Sequence, residues 1–232
     1  YSTIDHPARQ EVEKSFVDFA TDVVERGGVL LTPAFSVGRA QELAMVLFKH
    51  GFKHPVAMDG MALKVNEILM RYQEYVKDAS AFRRTLENVE VIVSWSRRRT
   101  FIRKPGVIIS PAGMLVGGAS VFYNQQLSLK EKNGISIVSF QVPGTAGRTL
   151  IDKGLTLING KPTKVKAEVR RFDFSSHSGK SILEGDLKSV GGSPKFMTVH
   201  GEEESCVKLA EELHTQLGAE ALAPRVGEEY EV

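Results

Sequence analysis

The sequence is poor in the residues that stabilise secreted and membrane proteins. Its 232 residues include one cysteine, Cys206, which excludes an intramolecular disulfide framework. There is no uninterrupted apolar run of about 20 residues, the length that a membrane-spanning helix needs, and no secretory hydrophobic region. These absences predict a cytoplasmic protein with no membrane partner.

Strong charge of one sign is also lacking. The 30 Lys and Arg residues nearly balance 28 Asp and Glu residues, for a formal net charge of +2. Such a mild charge does not by itself indicate a polyanionic ligand, because nucleic-acid modules are usually more basic. With 42% hydrophobic and 25% charged residues, the composition is typical of a globular protein and leaves RNA open as a ligand.

Helical and strand patterns alternate through the first two thirds of the chain. Apolar residues at helical spacing over 9–26, followed by Gly27-Gly28, predict an amphipathic helix with a glycine stop. The continuous apolar run at 29–32 is typical of a strand covered on both faces. Further strands are predicted at 55–58, 89–94, 107–110 and 135–140, and helices at 40–48, 62–75 and 120–129. This alternation predicts an α/β fold with a mostly parallel sheet.

The pattern changes after Gly154. Short β-rich segments follow, and Asn159-Gly160 between two of them predicts a hairpin turn. Ser178 is a candidate cap for the next helix, and Gly218 a candidate stop for the last one. The topology is therefore not expected to be uniformly doubly wound.

One acid and two imidazoles follow predicted strands at the points where helices begin. These are Glu42, His177 and His200. A carboxylate that is hydrogen-bonded to an imidazole raises the basicity of the imidazole and fixes the orientation of its ring. This arrangement suits either proton transfer or metal binding. Taken singly, each residue also fits a plain role at a helix or strand end. Their shared strand-to-helix position favours a common site.

Two glycine-rich loops, 110–118 and 142–148, follow apolar strands. Closely approachable backbone N–H groups in such loops bind phosphate. Neither loop matches the Walker A or dinucleotide pattern, and the glycines also suit tight turns. Arg39 and Arg148, each just beyond a glycine, are candidate phosphate-facing cations.

A basic run at 97–99, continued at 103–104, is flanked by Trp95 and Phe101. It predicts a largely solvated face, with contact to an RNA backbone as the alternative. Asp59, at a predicted strand end, is either a turn former or an acid beside a phosphate or metal pocket.

Four ordered segments carry a family resemblance that covers nearly the whole chain. Residues 35–42 resemble motif A of the β-CASP branch of the metallo-β-lactamase fold, and residues 110–118 its Ser-Gly-Met-Leu-x-Gly-Gly loop. Residues 174–177 resemble motif B and residues 199–202 motif C. Pro111-Ala112 departs from the small hydroxyl residue usual before the loop's first glycine.

The resemblance implies a division of the chain. Residues 47–175 would form the Rossmann-like β-CASP domain with a mostly parallel sheet. Residues 1–46 and 176–232 would belong to the metallo-β-lactamase αββα sandwich, with the active site in the cleft between. The family's zinc-binding His-x-His-x-Asp-His run is not among these residues, so the chain is expected to be a C-terminal part.

The resemblance also implies an activity, that of a zinc-dependent ribonuclease cutting single-stranded RNA in mRNA 3′-end processing or RNA decay. Two zinc ions would activate a water, with His200 as one ligand and most others outside this chain. His177, oriented by Glu42, would protonate the leaving oxygen. The chain alone is expected to be inactive.

Phosphate contacts are expected from Arg39, Gly113, Gly117, Gly118 and Arg148. A homodimer or an RNA-processing complex is the expected assembly. Two alternatives stay open: a non-catalytic RNA-binding scaffold subunit of the same fold, and a nucleotide-binding α/β module unrelated to nucleases.

Overall fold

The computed structural model describes residues 4–230. Their contacts divide the chain into two compact units. The large unit is Pro7–Ser175, and the small unit comprises the described residues of Tyr1–His6 and Ser176–Val232. The predicted boundary between residues 46 and 47 separates family domains. These contacts do not test it, and it stays a prediction.

The helices and strands of the described residues follow in chain order. The large unit contains α1 (Arg9–Glu25), β1 (Val29–Pro33), α2 (Arg39–Lys49), β2 (Val56–Asp59), α3 (Met61–Arg71), α4 (Ala79–Glu87), β3 (Val89–Ile92), α5 (Trp95–Phe101), β4 (Gly106–Ser110), α6 (Gly118–Leu127), β5 (Gly134–Ile137), α7 (Ala146–Lys153), β6 (Leu155–Ile158), β7 (Lys161–Lys164) and β8 (Glu168–Arg171). The small unit contains α8 (Lys180–Ser189), β9 (Lys195–Met197), α9 (Glu203–Leu217) and β10 (Glu220–Leu222).

A six-stranded sheet forms the centre of the large unit, in the order β3-β2-β4-β1-β5-β8. Each neighbouring pair is parallel. Leu31 on β1, for example, lies opposite Ile108 on β4 and Ile135 on β5. The predicted α/β fold with a mostly parallel sheet is confirmed, and all six strands point their carboxyl ends to one edge, where such folds place their sites.

Helices cover both faces of this sheet. Because successive side chains of a strand point to opposite faces, Leu30 packs into one apolar cluster with Phe16 of α1, and Leu31 into another with Tyr123 of α6. Every residue of β1, β2, β4 and β5 is buried. This double coverage explains why these strands are continuous apolar runs.

The predicted glycine turns are confirmed. Gly27 (φ 78°) follows the end of α1, and Gly218 (φ 62°) follows α9. Asn159 (φ 50°) and Gly160 (φ 77°) connect β6 to β7, which pair antiparallel as a hairpin.

Some boundaries differ from the sequence prediction. The strand predicted to reach Ser94 ends at Ile92, because the Ser94 hydroxyl instead caps α5 by accepting the Arg97 N–H at 3.3 Å. The strand predicted over 135–140 ends at Ile137. Helices α4, α5 and α7 were not predicted.

The small unit has a parallel pair, β9 and β10, and two helices. Ser178 does not cap α8 as predicted. A carboxylate from the other end of the chain replaces it, since Asp5 accepts the Ser181 N–H at 2.8 Å and its hydroxyl at 2.5 Å. These two bonds lower the pKa of Asp5.

Candidate functional site

The carboxyl edge of the large unit brings two of the predicted motif segments together. Strand β1 ends at Pro33 and α2 begins at Arg39, so residues 34–38 form a loop there. The Ala34 N–H donates to the Ser110 carbonyl at 3.0 Å. Since β1 and β4 are neighbours in the sheet, this loop lies beside the glycine-rich loop that follows β4.

Glu42 is held by two guanidinium groups in the first turn of α2. One carboxylate oxygen accepts from Arg9 and the other from Arg39. The Arg39 side chain is only 11% exposed; burial lowers its pKa, and Glu42 opposes that shift. Arg9 lies 4.5 Å above the ring of the buried Phe174. The structure therefore brings Arg39 and Glu42 into one ion-paired cluster.

A second carboxylate, on Glu13, also binds Arg9. It accepts hydrogen bonds from Arg9 at 3.2 Å, Lys49 at 2.7 Å and His50 at 2.9 Å. Burial raises the pKa of Glu13, but the three bonds outweigh it and lower the pKa to about 2. Sequence reasoning missed this cluster, although the i,i+4 spacing of Arg9 and Glu13 was a signal.

The glycine-rich loop after β4 is closed on itself. The Ser120 hydroxyl accepts the Ala112 N–H at 2.9 Å, and the Ser120 N–H donates to the Pro111 carbonyl at 2.9 Å. Gly117 combines φ 80° with ψ 178°, a conformation open essentially to glycine alone. A Cβ on Gly113 would lie 3.0 Å from the Ser139 hydroxyl oxygen. Backbone conformation thus accounts for Gly117 and packing for Gly113, and their role in phosphate binding stays a prediction.

Arg148 lies in the first turn of α7 and is exposed. Its Nε donates to Asp152 at 2.7 Å, which raises the pKa of the guanidinium. The Thr145 hydroxyl caps the helix by accepting the Arg148 N–H at 3.3 Å. A phosphate at Arg148 would therefore compete with an exposed ion pair on the same helix.

Asp59 is neither a simple turn former nor an open pocket acid. It is fully buried and accepts two bonds from Arg98, at 2.7 and 2.9 Å, and one from the Tyr123 hydroxyl at 2.6 Å. Burial and the bond to Asp59 raise the pKa of Tyr123. Arg98 is thus anchored rather than solvated, while its neighbours Arg97 and Arg99 are exposed as predicted.

Both candidate histidines belong to the small unit. His177 is exposed in the loop before α8, and His200 is exposed in the loop before α9. His200 has φ 64°, a left-handed conformation uncommon outside glycine. Two residues earlier, Thr198 fixes the loop by donating its hydroxyl to the Cys206 carbonyl at 2.8 Å.

The described residues do not fit a zinc centre by themselves. Within residues 4–230, no group of three or more His, Cys, Asp or Glu side chains could hold a metal ion. The role of His200 as a zinc ligand stays a prediction. In the same part of the chain, no helix is long and apolar enough to cross a membrane.

Two family models match the chain in tandem. The Beta-Casp domain matches residues 40–150, and the Zn-dependent metallo-hydrolase RNA specificity domain matches residues 162–224. The chain belongs to the β-CASP family. This confirms the resemblance carried by the four motif segments and agrees with the α/β fold of the family.

Curated relatives match across almost the whole chain. RNase aCSPSF2 of Saccharolobus solfataricus is 36% identical, over 99% of this chain and 46% of its own length. Probable RNase MJ4 of Methanocaldococcus jannaschii is 30% identical, over 100% of this chain and 55% of its own length. Transcription termination factor FttA of Pyrococcus horikoshii is 35% identical, over 93% of this chain and 37% of its own length. The chain thus spans about half the length of the curated relatives it matches, or less.

Proposed function

We propose that the protein containing this chain is a zinc-dependent ribonuclease that hydrolyses phosphodiester bonds of single-stranded RNA, in mRNA 3′-end processing or RNA decay. One observation carries the proposal: the match to the RNA specificity domain of zinc-dependent metallo-hydrolases includes both His177 and His200. The names of two relatives, RNase aCSPSF2 and probable RNase MJ4, support the same activity.

His177 is the proposed general acid that protonates the leaving oxygen. An imidazole changes its charge near neutral pH, and His177 is exposed on a loop, as a group that meets substrate must be. Glu42 is the proposed group that orients this imidazole. Its ion pairs with Arg9 and Arg39 support that role, because they fix the position of the carboxylate on α2.

The proposed phosphate contacts lie on three elements of the large unit. Arg39 is nearly buried and pairs with Glu42, so a phosphate that binds it must share the guanidinium with that carboxylate. Gly113 and Gly117 belong to the loop beside it, Gly118 is the first residue of α6, and Arg148 lies in the first turn of α7. Backbone N–H groups at such turns favour anions.

The proposed metal centre is completed by residues outside this sequence. His200 contributes one ligand, and two zinc ions are proposed for the complete protein. Because the described residues hold no group of three potential ligands, we expect the 232-residue chain alone to bind RNA without cleaving it. We propose a homodimer or an RNA-processing complex as the assembly. We also propose that the domains comprise residues 1–46, 47–175 and 176–232.

Cleavage assays on the complete protein test this proposal. We expect it to cut a single-stranded oligoribonucleotide, to leave the duplex form intact, and to lose activity on chelation and regain it with zinc. His200→Ala should lower the bound zinc measured by elemental analysis. His214→Ala, a matched change on α9 of the same unit, should not. RNA binding without cleavage under every metal condition would instead favour the scaffold alternative.

A further inference from the structure

Trp95 is the single tryptophan of the chain and is 55% exposed. It is the first residue of α5, just beyond the carboxyl end of β3. Strand β3 is one of the two edge strands of the six-stranded sheet. A large aromatic ring thus stands at one end of the edge that carries the motif A loop.

The ring is held in place from two sides. The Arg98 guanidinium lies 4.5 Å from its centroid, and the Phe122 ring meets it edge-on at 5.3 Å and 86°. Arg98 is itself anchored by two hydrogen bonds to the buried Asp59. Because the ring is already ordered, binding a flat ligand on it costs little conformational entropy.

Cations follow the ring along α5 and the turn after it. Arg97, Arg99, Arg103 and Lys104 are all exposed. Arg97 pairs with Glu90 at 3.3 Å, whereas in the described part of the chain Arg99, Arg103 and Lys104 form no ion pair. An exposed, ordered aromatic ring, followed along the same helix and turn by cations without ion pairs, matches the chemistry by which proteins bind single-stranded nucleic acids. The same charges would disfavour an apolar protein partner.

We propose that Trp95 is a base-stacking platform for a single RNA strand, and that Arg99, Arg103 and Lys104 contact its phosphates. The proposal rests on the proposed function and extends its substrate path. The strand order β3-β2-β4-β1 puts the platform three strands from the motif A loop, about 14 Å along the edge.

Binding of a labelled twelve-residue oligoadenylate to the complete protein tests the stacking. Trp95→Leu should weaken the Kd, measured by fluorescence anisotropy, at least about fivefold, and Trp95→Phe should retain most of the affinity. Tryptophan emission quenched by the oligonucleotide in wild type, and less so in Trp95→Phe, would assign the contact to this ring. Equal melting temperatures would establish that both variants fold.

The salt dependence of binding tests the phosphate contacts separately. Arg99→Gln and Arg103→Gln should each reduce the slope of log K against log salt by about 0.7, because each removes one contact to a single strand. Trp95→Leu should leave that slope unchanged, since stacking releases no counterions. Arg225→Gln, a matched change of an exposed arginine in the small unit, should alter neither quantity.

The outcomes separate this inference from the function on which it rests. If the wild-type protein binds no RNA, both fail. If it binds RNA and Trp95→Leu binds equally well, the platform is overturned while the ribonuclease proposal stands, and the exposed ring becomes a surface for a protein partner.

Discussion

The large and small units differ sharply in how they are held together. In the large unit every residue of four strands is buried, and two apolar clusters cover the two faces of the sheet. In the small unit no residue of β9, β10 or α8 is buried, and α9 buries only Ala210 and Leu213. Within the described residues, the large unit has a core of its own, whereas the small unit buries few side chains.

The candidate site residues divide between the same two units, and both candidate histidines lie in the small one. The carboxyl edge with Glu42, Arg39 and Trp95 belongs instead to the large unit. We therefore expect the large unit to position RNA and the small unit to contribute chemistry.

The largest stability effect is expected from the core of the large unit. Phe16 is fully buried, and its ring meets Phe172 and Phe174 edge-on at 5.5 and 5.4 Å. Phe16→Ala should reduce the free energy of unfolding by about 3–5 kcal/mol. Leu213→Ala, in the small unit, should cost about 2 kcal/mol, the low end of the range for a buried leucine, because few buried side chains surround it. Denaturant unfolding measures both, and equal costs would contradict the comparison.

Acid should lower the free energy of unfolding by a smaller amount, again through a residue of the large unit. The pKa of Glu13 is lowered from its ordinary 4.5 to about 2, so its stabilisation is complete above about pH 4.5 and is lost as pH falls towards 2. The lost stability amounts to about 3 kcal/mol at most. Glu13→Gln should flatten the stability profile over that range, and the exposed control Glu87→Gln should not. A profile unchanged by Glu13→Gln would exclude this cluster as the cause.

The smallest effect should be confined to the small unit. Asp5→Asn weakens the acceptor for the Ser181 N–H and hydroxyl, and should speed amide hydrogen exchange in the first turn of α8. Exchange in α1 of the large unit should be unaffected. Faster exchange in both would mean that the two units unfold together.

Local patterns were enough to predict most of the sheet. Buried strands are continuous apolar runs, and Gly27, Gly218 and Asn159-Gly160 lie at turns that require positive φ. The missed helices α4, α5 and α7 are 7 to 9 residues long, too short for a clear helical period. Strand and helix ends such as Ser94 depended on cap geometry that periodicity does not record.

The site was predicted less completely because its contacts are long-range. Sequence reasoning found Arg39 and Glu42 from one segment, but it could not see that Arg9 shares the carboxylate from 33 residues away. Arg98 was read as solvated because its anchor, Asp59, is 39 residues distant. Such pairs form only once the fold brings the helices and strands that carry them together.

One measurement tests the central claim most directly. That claim is that the large unit positions RNA and the small unit contributes the catalytic histidine. Single-turnover cleavage of single-stranded RNA by the complete protein should be compared with its Kd for wild type, His177→Ala and Trp95→Leu. We expect His177→Ala to cut at least about 100-fold more slowly with an unchanged Kd. Trp95→Leu should weaken the Kd and cut at the wild-type rate when RNA is saturating. A His177→Ala protein that cleaves as fast as wild type would contradict the account.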